Sequence, residues 1–287
     1  MACELVPWQS YVTGAVLEPL NFTPNPEDMT CEGEHHRLSM FYLPTGGRRR
    51  LRKITTFDKV FLNQRIADYC QNVHLLAIFG RPNFDINISC PGLLDIHAYK
   101  PKKKRSSNYR WAEDGVAQTI ANTVLQTSQT IFHQLNVASF QWQFGRRDTR
   151  FLPMVPREPY VWAQWHSGKI THAKFAVFAF PPWVFELGDL STFIYADVFR
   201  DAQPYQGGIY KWDVAQMLWA MIHDFCTYHG IHHFVLTTYE KWIFGLFTES
   251  YRAGFVRHAM NYDARSPTVL QTLIFWMDAA MRDHPRC

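Results

Sequence analysis

A hard cation held against a phosphate needs carboxylates to bind it and a lysine to orient water or stabilise developing charge. Residues of those types stand close together in the first third of the chain. Asp85 closes Pro82–Asn83–Phe84–Asp85, and Asp95–Ile96–His97–Ala98–Tyr99–Lys100 follows. Strand residues two apart share a face. An acid-x-lysine triplet ending at Lys100 therefore wants its acid at position 98, where the chain has alanine. Asp95 shares the other face with His97, and a β-bulge would be needed to bring Asp95 and Lys100 to one side. The set reads as a metal-dependent phosphodiesterase site that has lost one acid, with Asp85 and Asp95 as metal ligands. The plain alternative is that Asp85 is a turn-facing acid and that Lys100 opens the basic loop after it.

Net charge is +4, but the cations are bunched. Arg48, Arg49, Arg50, Arg52 and Lys53 form one cluster, and Lys100, Lys102, Lys103, Lys104 and Arg105 form the other. Such clusters attract phosphate backbones or nuclear import receptors, and the competing reading is a solvated loop. His223, Cys226, His229, His232 and His233 are types that suit zinc. They span a helix end, its cap and a strand start, so they diverge, and core packing accounts for Cys226. No GxSxG turn marks a serine hydrolase.

The elements that must position these residues follow from periodicity. The spacing of Phe57, Val60, Phe61, Ile66 and Tyr69 predicts a helix over Thr56–Asn72 with Thr56 as N-cap. Strands are expected at Val73–Phe79, Phe84–Ser89 and Leu93–Lys100. A long helix over Ala112–Asn136 has Val116, Ile120, Val124, Ile131 and Leu135 as its buried stripe. Gln118, Asn122, Gln126, Gln129 and His133 share the opposite flank. Further strands are expected at Ala138–Phe144, Phe151–Val155 and Ile170–Phe180, then an irregular excursion over Pro181–Gly208 with a short helix at most. A helix over Trp212–His229 should stop at Gly230. A hairpin of His232–Thr238 and Trp242–Thr248 and a last helix from Ser266–Pro267 to Arg282 complete the order. Three adjacent strands followed by a helical crossover imply an α/β fold with a mixed sheet flanked by helices. Residues 1–55 read as an irregular N-terminal arm and 56–287 as one domain, with the insertion around 181–208.

Bulk properties bound the rest. The 287 residues, 47% hydrophobic and 19% charged, suffice for a sizeable core of ordinary globular composition. Aromatics at 16% supply bulky core residues and leave rings for a partner surface, with Trp162, Trp165 and Trp183 as candidates. The start MACELVPWQS lacks the basic region of a secretory signal, and the apolar stretch Phe175–Phe185 is broken by Pro181 and Pro182. Six cysteines without a CxxC pair argue against a disulfide framework and for a reducing compartment, cytoplasmic or nuclear.

Several of these segments carry a resemblance. They are Tyr99–Lys100–Pro101, Gln118 and Gln126, Phe140 to Gly145, Phe234–Val235–Leu236–Thr237–Thr238–Tyr239, and Pro267–Thr268–Val269–Leu270 with its helix. Over roughly residues 55 to 285 the chain resembles proteins of mushroom-forming fungi that have a restriction-endonuclease-like, PD-(D/E)XK, core. Those proteins are akin to the nuclease-like region that precedes fungal-type kinase domains. The resemblance implies a metal-binding acid at Asp85, a second at position 98, the lysine at Lys100 and a supporting glutamine at Gln118. It implies Mg²⁺ as cofactor if the site works, with Asp95 as a displaced second acid. With Ala98 at the second position, the expectation is a degenerate nuclease that binds nucleic acid or a protein partner, with weak or no cleavage. The chain carries none of the glycine-rich, HRD-type or DFG motifs, so kinase activity does not carry over. The alternative from another class is a non-enzymatic protein-interaction module.

Overall fold

From Phe175 to Phe180 every residue is apolar, and such a strand is stable where both of its faces are covered. A computed structural model describes residues 5–17, 49–78, 87–89, 115–146, 159–167, 169–185, 187–199 and 213–282. In chain order the elements are β1 (Leu5–Pro7), α1 (Trp8–Gly14), β2 (Lys53–Thr56), α2 (Lys59–Ile78) and β3 (Asn87–Ser89). The next helix, α3, joins residues 115–120, a π-helical turn at Ala121–Leu125 and the α-helical Gln126–Leu135. A 3-10 turn at Val137–Gln141 leads into β4 (Trp142–Arg146), β5 (Tyr160–His166) and β6 (Lys169–Ala179). Then come α4 (Leu187–Ile194), α5 (Val214–His229), β7 (His233–Thr237), β8 (Lys241–Phe247), β9 (Ala253–Val256), β10 (Met260–Asn261) and α6 (Val269–Arg282).

The main sheet runs in the order β2-β9-β8-β7-β6-β5-β4, with β10 paired to β8. Strands β4, β5 and β6 form an antiparallel meander. Strand β7 lies parallel to β6 and is reached through α4 and α5, and β8 folds back antiparallel to β7. Strand β2 joins the far edge parallel to β9. Residues two apart then sort into two cores. Trp162, Phe175, Val177, Val235 and Phe244 pack with α2, α3 and α6. Val161, Ala176, Phe178, Leu236 and Ile243 pack with α4 and α5. The fold is thus α/β, a large mixed sheet flanked by helices. Full burial of a ring such as Trp162 or Phe178 contributes roughly 1.5–3 kcal/mol, several times what a surface ion pair supplies. The apolar layers hold the sheet.

Caps set the helix limits where the sequence carries them. Asp213 accepts the Gln216 N–H at 2.7 Å at the start of α5, and Gly230 ends the helix at φ +64°, a left-handed conformation that glycine adopts without strain. At α6, Thr268 and Gln271 form a capping box: Thr268 Oγ1 accepts the Gln271 N–H and Gln271 Oε1 accepts the Thr268 N–H. The hairpin β7–β8 and helices α5 and α6 agree with the expected elements.

Several expectations are corrected. The Val73–Phe79 segment does not start a strand, because α2 continues through it to Ile78. A short apolar run fits either period, and extending a helix already nucleated costs less than beginning a new element. Helix α2 is capped by Asp58, which accepts the Phe61 N–H at 2.7 Å, and not by Thr56, whose backbone belongs to β2. Strand β5 falls where no strand is expected, and position 138, expected in a strand, sits in the 3-10 turn. Within the arm read over residues 1–55, Tyr11 and Val12 enter the first core and Thr268 Oγ1 donates to the Val12 carbonyl at 2.7 Å, so α1 is tied to α6. The strand expected at Phe84–Ser89 is described for β3 alone, while Leu93–Lys100 and Phe151–Val155 lie outside the described residues.

A Cβ added at Gly245 would land on the ring of the fully buried Phe234. Overpacking of that kind costs about 1–3 kcal/mol. Gly245→Ala is therefore expected to lower the urea midpoint with an unchanged slope, and an unshifted midpoint would contradict the packing of β7 on β8.

Candidate nucleic-acid interface

Asp85, Asp95 and Lys100 lie outside the described residues, as do Arg48, Lys102, Lys103, Lys104 and Arg105. Gln118 is described. It sits exposed on the first part of α3 and donates from Nε2 to Asn122 Oδ1 at 2.6 Å. The amide flank of that helix then divides. Gln118, Asn122 and Gln126 face solvent, whereas Gln129 and His133 are half-buried. Gln129 Oε1 accepts the Phe144 N–H at 2.8 Å, and His133 Nε2 lies 2.8 Å from the Trp142 carbonyl. Both backbone groups belong to the edge strand β4, so the lower half of the flank covers a sheet edge.

Of the cation cluster at positions 48–53, residues 49 onward are among those described. Arg49 is 7% exposed and holds Asp224 of α5 through Nε at 2.8 Å and Nη2 at 2.6 Å. It is thereby committed inside the protein, unlike the surface cation the cluster suggested. Leu51 and Ile54 are buried between α4, α5 and the sheet, and Arg50, Arg52 and Lys53 are exposed. Extended backbone sends neighbours to opposite sides; the alternation holds from Arg49 to Arg52 and shifts at Lys53, whose N–H shares the Arg252 carbonyl with that of Arg52. Arg52 Nη1 also donates to the carbonyls of Arg49 and Leu51, at 2.8 and 3.0 Å. The backbone is fixed on both sides: the Arg52 N–H donates to the Arg252 carbonyl at 2.8 Å, and the Ile54 N–H to the Asp197 carbonyl at 3.0 Å. Arg252 is itself exposed, which extends the basic strip to the β8–β9 turn.

The histidine and cysteine group is packing. His223 is buried with Nδ1 3.3 Å from Asp224 Oδ1, and its ring meets Phe247 and Tyr251 edge-on. Tyr251 donates to the Cys226 carbonyl at 3.4 Å. Burial pushes the Cys226 thiol well up and the Cys70 thiol to about 12, so both stay protonated and neither is a nucleophile. Among the described residues, no three His, Cys, Asp or Glu come together to hold a metal ion. Trp162 is fully buried and not a surface residue, and Trp165 is half-buried with Nε1 3.3 Å from the Gln143 carbonyl. The side chain of Trp183 lies outside those described. Among the described residues no helix is long and apolar enough to cross a membrane.

Two features went unnoticed in the sequence. A cleft of about 360 Å³ between α2 and α6 is lined by Arg65, Asp68, Tyr69, Asp278 and Arg282 among others. Burial raises the Asp278 carboxyl above its ordinary 3.8, against the opposing pull of Arg282, whose Nε sits 2.7 Å away. Burial first, and the Asp278 charge second, also raise the Tyr69 phenol. Exposed rings form the other feature: Phe61 on the first turn of α2 and Tyr195 just after α4. Phe61 belongs to the apolar spacing that predicts the helix, and Tyr195 to the stretch read as irregular. No family model, no curated protein and no solved structure matches the chain.

Removing one partner of a buried ion pair strands the other, at about 3–5 kcal/mol. Asp224 keeps 20% exposure, so Arg49→Ala should fall near the low end, about 3 kcal/mol. The double variant Arg49→Met/Asp224→Leu should recover most of that loss in chemical denaturation. For Asp278 the folded pKa lies above the unfolded one, so the native state holds the proton more tightly. Its contribution is complete below pH 3.8 and is lost as pH rises through the folded pKa. Asp278→Asn should therefore gain stability relative to the parent chain as pH climbs from acid to neutral, read from melting temperatures across that range.

Proposed function

We propose that the chain is a nucleic-acid-binding protein built on a restriction-endonuclease-like scaffold, with weak or no Mg²⁺-dependent phosphodiesterase activity. One observation carries the binding half of this reading. Arg50, Arg52 and Lys53 project from a backbone held by hydrogen bonds on both sides and anchored by the Arg49–Asp224 pair, with Arg252 exposed alongside. A solvated loop has no need of such anchoring. Cations held at fixed spacing neutralise phosphates at a lower entropic cost than cations on a free loop. The scaffold half is supported by the mixed sheet between helices and by the sequence resemblance. If the site works, Asp85 with Asp95 would hold the metal, Lys100 would sit beside the attacked phosphate, and Gln118 would orient water or the lysine. The alanine at position 98 is the reason for placing cleavage second to binding.

A protein-interaction module is favoured by the exposed apolar side chains Val60, Phe61, Tyr195 and Val198. The two readings part on salt. Affinity for duplex DNA should fall steeply with salt, and Arg50→Gln/Arg52→Gln/Lys53→Gln should flatten the log–log slope by roughly 0.9 per lost phosphate contact. Absence of retention at low salt would favour the interaction module. For catalysis, plasmid incubated with Mg²⁺ or Mn²⁺ should be nicked slowly or not at all. Any nicking should vanish in Asp85→Ala and Lys100→Ala, and nicking unchanged in both would remove those residues from any role.

A further inference from the structure

The basic strip lies beside two exposed rings, and the combination narrows the ligand. Phe61 is 67% and Tyr195 60% exposed; Phe140 and Tyr228 are comparably exposed, but they sit in the turn before β4 and near the end of α5, apart from the basic strip. They flank one end of β2. Phe61 follows the strand directly, on the first turn of α2 capped by Asp58. Tyr195 comes from the other side, where Thr56 Oγ1 donates to the Ile194 carbonyl at 3.3 Å. The Tyr195 ring meets His258 at 5.6 Å, and the neighbouring Arg257 donates from Nη2 to Asn63 of α2 at 2.6 Å. Three segments thus converge on the corner and present both rings outward.

The charges nearby are also laid out. Arg50, Arg52 and Lys53 occupy the other end of the strand, Lys59 follows it, and Arg252 adds a cation from the β8–β9 turn. The acids of the region are Asp58, bound to a helix N-terminus, and the exposed Asp197 and Glu249. Cations outnumber them. At about 3.3 Å per residue, the path from Lys53 to Phe57 spans roughly 13 Å, so rings and cations fall within reach of one short polyanion.

We propose that this corner binds single-stranded nucleic acid, with bases stacked on Phe61 and Tyr195 and the phosphate backbone running along Arg50, Arg52 and Lys53. This deepens the nucleic-acid reading above and rests on it. A duplex offers phosphates but keeps its base faces stacked inside, so it makes no use of exposed rings. A single strand offers both, and stacking contributes about 1–3 kcal/mol per base. A protein partner matching the rings has no use for the ordered cations, which is why nucleic acid is preferred here.

The test is fluorescence anisotropy of the full chain with a labelled oligothymidine and with a labelled duplex, over a salt series. The single strand should bind more tightly. Phe61→Ala and Tyr195→Ala should each weaken it by roughly 5- to 150-fold, with an unchanged salt slope, and Tyr195→Phe should restore binding because the ring is kept. Both side chains are exposed, so melting curves should match the parent chain. Equal affinity for the two probes, or alanine variants that bind the single strand as before, would overturn the single-strand proposal and leave duplex binding standing. No binding of either probe at low salt would overturn both readings together.

Discussion

Two-sided burial of the sheet is the constraint from which the other features follow. A strand that is apolar at every position from Phe175 to Phe180 cannot leave either face to water. Once β6 is covered on both sides, its neighbours β5, β7 and β8 are committed to the same two layers, and their residues alternate between them. Helices α3 and α6 must then carry one apolar stripe each, and α5 must be buried along most of its length, as Val214 to Cys226 largely are. The parallel pairing of β7 with β6 is the geometric outcome of sending α5 across one face between two strands.

A sheet closed on its faces still has two edges, and the chain treats them differently. On β4 the exposed backbone groups are met by polar side chains of α3, Gln129 and His133. On β2 they are met by the backbone of 197–199, with Val198 bridging to Lys53. The β4 edge is therefore closed by a helix that buries part of its own polar flank. The β2 edge is closed by a thin segment that leaves the outer side chains at the surface. Cations and rings accumulate at the second edge, where covering the backbone does not mean covering the surface.

Elements with their own punctuation were legible in the sequence. Helix α5 has Asp213 before it and Gly230 after it, α6 has the Thr268–Gln271 box, and β7–β8 has two apolar runs around a short turn. Elements recognised by period alone were not. The run at Val73–Phe79 is apolar in both periods, and the helix before it absorbed most of it. Strand β5 reads Tyr-Val-Trp-Ala-Gln-Trp-His: its first half is buried on both faces and does not alternate. Strand β9 is short and exists through pairing with β8 and β2, which are distant in sequence on one side. The candidate site divides in the same way. Residue type marks Arg50, Arg52 and Lys53 as cations, but only tertiary packing turns Phe61 outward, since its helical spacing assigns it to a core, and Tyr195 stands in a stretch that reads as irregular.

The Arg49–Asp224 pair explains why a run of cations should not be counted as a surface. Taking both charges out of water costs several kcal/mol, and the attraction between them barely repays it, so such a pair is weak evidence for stability. Its bidentate geometry, Nε to Oδ1 and Nη2 to Oδ2, however, fixes direction as well as distance. A guanidinium gripping α5 from residue 49 sets the phase of the extended chain that follows, so Leu51 points inward and Arg50 and Arg52 outward; the phase shifts at Lys53, whose N–H shares the Arg252 carbonyl with that of Arg52, which leaves Lys53 outward and Ile54 inward. A leucine at position 49 could fill similar volume without specifying that phase, and a slip of one residue would turn the projecting cations into the core. The buried arginine is thus best understood as a register pin for its neighbours: its charge is used inside the protein so that theirs can be used outside.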